Sequence, residues 1–261
     1  MSSKIVFFDI DNTIWRADQV IPESAKRSIR ALRDKGNHAF LNSGRARGFI
    51  NDRELLGLGF DGIVGGCGCY VEIGGKVLRN DLIPHEVVVG TIKVLKKHRL
   101  PLILEGWHHL YVDPEDFADD RYYLSLRQRL GDELQPVTGY TGIWEINKIS
   151  INQEEGRVKN CIGDLSWYYD FIFHGNRFIE LVPKGHSKAT GMDDVCAYYG
   201  IPIEDTFAFG DSTNDLAMLE HAGCGIVMGD GSDDAKAAAD YITDPLEDDG
   251  IEKALQHFGL I

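Results

Sequence analysis

The sequence predicts an α/β protein in which a parallel-sheet core is interrupted by an inserted α+β module. Three observations carry that prediction. Both ends of the 261-residue chain alternate short apolar strands with helical stretches, the pattern of a parallel sheet covered by helices. The middle runs strands and helices in an order that suits an antiparallel sheet. Pro and Gly interrupt the pattern where the two textures meet, near Asp81–Pro84 and Pro183–Gly185.

Taken in order, Ile5 to Phe8 is a continuous apolar run that suits a buried strand, and it stops at Asp9. After Pro22, Ala25, Ile29 and Leu32 fall at helical spacing, and Gly36 stands where that helix ends. Ala39 to Leu41 forms the next strand, and Ser43-Gly44-Arg45 turns into another helical stretch. A strand near Ile63-Val64 follows, then a hairpin of Tyr70 to Ile73 and Lys76 to Leu78 joined by Gly74-Gly75. In the middle, Val88, Ile92 and Leu95 mark a helix and Leu100 to Leu104 a strand. Tyr123, Leu126 and Leu130 mark another helix, Ile143 to Ile151 a long strand, and Val158, Ile162 and Leu165 a third helix. Phe171 to Phe173 and Phe178 to Val182 read as a hairpin around Gly175-Asn176. The last part returns to alternation. Ala189, Met192, Cys196 and Tyr199 stripe a helix closed by Gly200, and Phe207 to Phe209 is a strand running to Asp211. A helix with Leu216 and Leu219, a strand Gly225 to Met228 and a short helix Ala235 to Ala239 complete the pattern.

Composition narrows the function. Hydrophobic residues make up 43% and charged residues 26%, the balance of a soluble globular protein. No apolar run approaches a membrane span, and Lys4 is the only basic residue before the first short apolar run, so neither a spanning helix nor a secretory signal is expected. Five scattered cysteines, Cys67, Cys69, Cys161, Cys196 and Cys224, make a poor disulfide framework and point to a reducing cytoplasm. A net charge of −14 argues against nucleic acid and anionic membranes as partners. It also means that a site for a phosphate ester must build its own positive field from a cation and a few basic side chains.

Four groups of residues can do such chemistry. Asp9 and Asp11 lie where the first strand ends, and residues two apart in extended chain point the same way. One carboxylate can attack phosphorus while the other protonates the leaving oxygen and later activates water; alone, the pair also fits a solvated acidic turn. Ser43 and the N–H groups after it can hold phosphate oxygens, though an ordinary helix cap reads the same way. Asp211 and Asp215, four apart in Gly210-Asp211-Ser212-Thr213-Asn214-Asp215, can add oxygen ligands for a hard cation such as Mg²⁺, or merely favour a helix dipole. Lys188, early in a helix, can neutralise a transferring phosphoryl group, although a lysine there is ordinarily a surface residue.

The order and spacing of the four resemble the haloacid dehalogenase (HAD) superfamily of phosphotransferases, in particular its Cof-type subgroup with a C2B cap. The resemblance covers nearly the whole chain. Phe8-Asp9-Ile10-Asp11-Asn12-Thr13-Ile14 is similar to the first motif and Asn42-Ser43-Gly44-Arg45 to the second. Lys184-Gly185-His186-Ser187-Lys188 is similar to the third and Phe209-Gly210-Asp211-Ser212-Thr213-Asn214-Asp215 to the fourth, the most specific. It implies a Rossmann-like core over residues 1–81 and 184–261 and an inserted C2B-type α+β cap over 82–183. It further implies Asp9 as nucleophile and Mg²⁺ ligand, and Asp11 as general acid and base that gives the metal its backbone carbonyl. Ser43, Gly44 and Lys188 would bind the phosphoryl group, Asp211 would ligate Mg²⁺, and Asp215 would orient the metal site from behind its ligands or through water. Asn214 would reach the phosphate or Lys188. Two residues depart from the pattern: Asn12 stands where the family has Gly, and Cys67 where the subgroup has Asn.

Asp11 separates the chemistries of the superfamily. A halide leaves without a proton, whereas an alkoxide needs one, so Asp11 favours phosphoryl transfer. The expected activity is hydrolysis of a small soluble phosphate ester, a sugar phosphate first and a cofactor phosphate next. The alternatives are a phosphomutase with the same machinery and a phosphate-binding protein without turnover. Candidate leaving-group contacts are Arg45, Trp107, His108 and Lys148, with His109, Asn147 and Arg177 behind them. The sequence does not reveal the oligomeric state.

Overall fold

The computed structural model describes residues 3–16, 18–117, 121–152, 155–174 and 178–261. The Gly175-Asn176 turn and Arg177 fall outside the described residues. The chain runs β1 (Ile5–Phe8), α1 (Glu23–Asp34), β2 (His38–Asn42), α2 (Arg53–Leu56), β3 (Gly62–Gly65), β4 (Tyr70–Ile73) and β5 (Lys76–Asn80). Next come α3 (His85–Lys97), β6 (Leu102–Gly106), β7 (Leu110–Tyr111), α4 (Arg121–Leu130), β8 (Leu134–Gln135), β9 (Ile146–Asn152), α5 (Glu155–Leu165), β10 (Tyr169–His174) and β11 (Phe178–Pro183). It ends with α6 (Lys188–Tyr199), β12 (Thr206–Gly210), α7 (Leu216–His221), β13 (Cys224–Val227), α8 (Asp233–Ala238), β14 (Tyr241–Ile242) and α9 (Gly250–His257).

These elements form two compact units: residues 1–44, 52–79 and 186–261, and residues 45–51 and 80–185. The first is built on an eight-stranded sheet in the order β14-β13-β12-β1-β2-β3-β4-β5. From β14 to β3 every pairing is parallel, and β4 turns back antiparallel on β3. The central strand β1 is buried on both faces, which explains its unbroken apolar run. Ile5, Phe7, Phe40, Val64 and Ala208 pack with Met192 and Val195 of α6 into one apolar core. Phe8 stacks on its register partner Phe209 with ring centroids 4.9 Å apart, which aligns the ends of β1 and β12 side by side.

The second unit holds a six-stranded sheet, β10-β11-β9-β6-β7-β8. All its described pairings are antiparallel except that of the two-residue strands β7 and β8. Leu102, Leu104, Ile149, Ile151, Ile179 and Leu181 alternate inward from one face and pack with Val88 and Leu95 of α3 and Val158 and Leu165 of α5. That alternation is the period-2 signature of a sheet face packed under helices, and on the other face Ile103 and Leu110 pack with Tyr123, Leu126 and Leu130 of α4.

Three expectations shift in detail. The long strand begins at Ile146 rather than Ile143, because the β6 ladder ends at the Gly106–Ile146 pair, where the register shifts. Ile143 is 75% exposed. The helical stretch after Arg45 is a 3₁₀ turn, Arg47–Phe49, followed by the four-residue α2, whose N-cap Asp52 accepts from the Leu55 N–H at 2.8 Å. The strand expected from Leu100 starts at Leu102, after Pro101. Among the described residues no helix is long and apolar enough to cross a membrane, and the five cysteines are thiols not joined in disulfides.

Candidate active site

Because β2, β1 and β12 are adjacent and parallel, their following residues emerge together at one edge of the sheet. Ser43 follows β2 directly, Asp9 follows β1 and Asp211 follows β12. Lys188 is the first residue of α6, fixed by a reciprocal bracket in which Ser187 Oγ accepts from the Thr190 N–H and Thr190 Oγ1 from the Ser187 N–H. Asn42 donates from Nδ2 to the Lys188 carbonyl at 3.1 Å, tying the end of β2 to the start of α6.

Lys188 is 1% exposed, and its ammonium lies 2.6 Å from Asp9 Oδ1 and 2.5 Å from Asp215 Oδ1. A lysine at a helix N-terminus meets the positive end of the dipole, and burial further disfavours its charge. The two carboxylates outweigh both effects and hold its pKa above the ordinary lysine value. Asp215 spends its second oxygen on backbone, accepting from the N–H of Asp211 at 2.9 Å and of Ser212 at 3.1 Å. Gly210 permits this approach, since a Cβ there would lie 2.6 Å from Asp215 Cβ.

Asp9, Asp211 and Asp215 each bring one carboxylate oxygen within 4.8 Å of the others, and all three are buried. Burial pushes the Asp9 carboxyl up, with Lys188 opposing and the neighbouring carboxylates adding to the rise. Asp211 is pushed up to about 7, first by burial and then by the charge of Asp215. Three buried carboxylates against one ammonium leave negative charge uncompensated. A cluster of hard oxygen donors in that condition fits a divalent cation such as Mg²⁺.

Asp11 stands apart from that cluster. Its carboxylate accepts a hydrogen bond from the Trp15 indole N–H at 3.1 Å. Asn12 has φ 54°, so a residue that tolerates the left-handed region occupies it. Its Nδ2 reaches Asp211 Oδ2 at 3.5 Å. Cys67 also sits at φ 54° and is buried. Asn214 turns its Oδ1 to the Ser212 hydroxyl at 2.7 Å. Asn42 and Trp15 were not among the residues the sequence singled out for a role. A buried polar residue at a strand end and a tryptophan four residues after an acid are the signals they offered.

Within the second unit, the Arg45 guanidinium lies 4.4 Å from the centre of the Phe49 ring, and Arg129 lies 4.3 Å from it. The half-buried Trp107 ring lies against exposed His108, with centroids 3.6 Å apart. Lys148 is 1% exposed, hydrogen-bonds Glu180 and lies 3.3 Å from Glu105 Oε1. Burial alone would raise the Glu180 carboxyl, but Lys148 and His174 prevail and bring it to about 2. Asn147 ties Asn80 Oδ1 and the Asp81 carbonyl through Nδ2 at 2.9 and 3.0 Å.

A model of haloacid dehalogenase-like hydrolases matches residues 6–255 of the chain. The chain is 26% identical to 5-amino-6-(5-phospho-D-ribitylamino)uracil phosphatase YitU of Bacillus subtilis, over 97% of each protein. It is 25% identical to HMP-PP phosphatase of Yersinia enterocolitica, over 98% of this chain and 95% of that protein. Among solved structures it is similar to BT4131, described as a HAD subclass IIB sugar phosphatase. The TM-score is 0.84 at 29% identity, covering 99% of this chain and all of that one.

Proposed function

The chain belongs to the haloacid dehalogenase-like hydrolase family, of the Cof type, and is a phosphatase; we propose that it hydrolyses a small sugar phosphate through an aspartyl-phosphate on Asp9, with Mg²⁺ as cofactor. The single observation that carries this reading is the Lys188 ammonium held between Asp9 and Asp215 beside Asp211. A nucleophile, a charge-neutralising cation and a carboxylate cluster for a metal converge on one buried spot.

In the proposed reaction an Asp9 carboxylate oxygen attacks phosphorus, and the bond from phosphorus to the ester oxygen breaks. Asp11 gives its proton to that oxygen, and the alcohol leaves. Asp11, now ionised, takes a proton from water as the water attacks the phosphorus of the acyl phosphate. Inorganic phosphate departs and the Asp9 carboxylate is restored. The Trp15 N–H holds Asp11 in one orientation through both steps. Ser43, the Gly44 N–H and Lys188 bind the phosphoryl oxygens, and Asn214 supports the loop through Ser212. Asp9, Asp211, Asp215 and the Asp11 backbone carbonyl would hold the Mg²⁺, which when bound screens the charge between carboxylate and phosphate.

The 29% identity to a sugar phosphatase over nearly the full chain supports a sugar phosphate as substrate class. The second unit, residues 45–51 and 80–185, is the part to which leaving-group selection is assigned. Arg45, Trp107 and His108 are the contacts assigned to it. Lys148, buried between two glutamates, acts by holding that sheet face together.

Phosphate release from a panel of sugar phosphates, nucleotides and cofactor phosphates, with Mg²⁺ and with EDTA, tests the proposal. Release that depends on Mg²⁺ and favours sugar phosphates supports it. Asp9→Asn is expected to abolish turnover while leaving the fold intact, and full activity in that variant refutes the mechanism.

A further inference from the structure

We propose that Glu105, Gly48 and Phe49 are positioning residues that anchor the segment Arg45–Asn51 and thereby set the Ser43-Gly44 turn for phosphate. The inference rests on the proposed role of that turn in binding the phosphoryl group.

The two compact units part at the Gly44–Arg45 peptide bond, immediately beside the turn. On the upstream side Ser43 is fixed by the parallel sheet. Its N–H donates to the Val64 carbonyl at 2.9 Å, and its carbonyl accepts from the Cys67 N–H at 3.2 Å. On the downstream side the chain enters the other unit at once. The Ala46 N–H donates to Glu105 Oε2 at 3.4 Å. Phe49 is buried with Ile103, Leu110 and Val112. Gly48 lies so close to the strand β6 and the loop after it that a Cβ would stand 2.8 Å from the Gly106 carbonyl oxygen and 2.9 Å from the His108 carbonyl carbon.

Glu105 is 3% exposed, and its other oxygen takes the Ser150 hydroxyl. A buried carboxylate is costly unless it is fully engaged. Here its engagement joins β6, β9 and the segment after the phosphate turn. Ala46 is three residues from Ser43, a reach of at most about 11 Å in extended chain. So short a tether passes a displacement at Ala46 on to Gly44 instead of absorbing it. Loosening the anchor therefore weakens binding of the phosphoryl group itself, which inorganic phosphate, having no leaving group, reports directly.

The test is steady-state kinetics on the full chain, with inorganic phosphate as competitive inhibitor, for Gly48→Ala, Glu105→Leu and Glu105→Gln. Gly48→Ala and Glu105→Leu are expected to raise KM and the phosphate inhibition constant tenfold or more. Glu105→Gln keeps an oxygen for the Ala46 N–H and is expected to restore the phosphate constant to within threefold of wild type. If Gly48→Ala fails to fold by circular dichroism, the Glu105 pair decides. Folded variants inhibited by phosphate at the wild-type constant overturn the inference while leaving the phosphatase reading untouched. A wild-type protein that releases phosphate from no substrate overturns that reading, and this inference with it.

Discussion

Removing the ammonium at Lys188 strikes stability and activity through the same two contacts, and the two losses separate with pH. In Lys188→Met, the Asp9 and Asp215 oxygens that lie 2.6 and 2.5 Å from the ammonium lose their cation and stay buried. Breaking a buried pair in this way costs about 3–5 kcal/mol. The penalty falls on ionised carboxylates, so protonation relieves it. The variant is expected to be destabilised by about that amount at pH 8 without metal, and by clearly less at pH 5. Loss of one preorganised charge facing the transferring phosphoryl group is expected to lower kcat by about 10²–10³-fold. Urea unfolding at the two pH values, paired with steady-state phosphate release at saturating Mg²⁺, measures both. A folded Lys188→Met enzyme with kcat within threefold of wild type refutes the reasoning, as does a stability loss equal at both pH values.

Two further substitutions follow from the packing. Gly210→Ala places a Cβ 2.6 Å from Asp215 Cβ and Cγ; the carboxylate must move, so activity is expected to fall about tenfold or more, and a Mg²⁺ titration of activity should show a raised half-saturation point. Glu180 has a folded pKa of about 2, below the unfolded value of about 4.3. Its stabilising contribution is therefore complete above pH 4.3 and lost as pH falls towards 2. Glu180→Gln is expected to cost about 3 kcal/mol at pH 7 and little at pH 2, as read from urea midpoints across that range.

The parallel core was legible because β1 and β12 are buried on both faces, so their composition alone marks them as strands. The carboxylates were legible because they follow those strands immediately. Lys188 was ambiguous on its own, since a lysine near a helix start is ordinarily exposed. Only Asp9 and Asp215 coming from distant parts of the chain explain its burial. The same limit hides Glu105 and Glu180. Each looks like an ordinary strand glutamate, and its role depends on Lys148, Ser150 and His174 arriving from other strands. The two-residue strands β7, β8 and β14 are too short to carry any period. Helix α9 does carry one, with Ile251, Ala254 and Leu255 buried at helical spacing, but its N-cap, Asp249 at φ 62°, is not the extended residue that ordinarily announces a helix start.

The covalent step at Asp9 is the central claim, and the stereochemistry at phosphorus tests it most directly. A phosphorothioate ester made chiral at phosphorus with two oxygen isotopes is turned over in water carrying the third isotope, and the configuration of the product thiophosphate is read. Two in-line displacements, first by Asp9 and then by water, give overall retention, and that is the predicted result. Inversion means that water attacks the substrate in a single displacement, and it contradicts an aspartyl-phosphate intermediate.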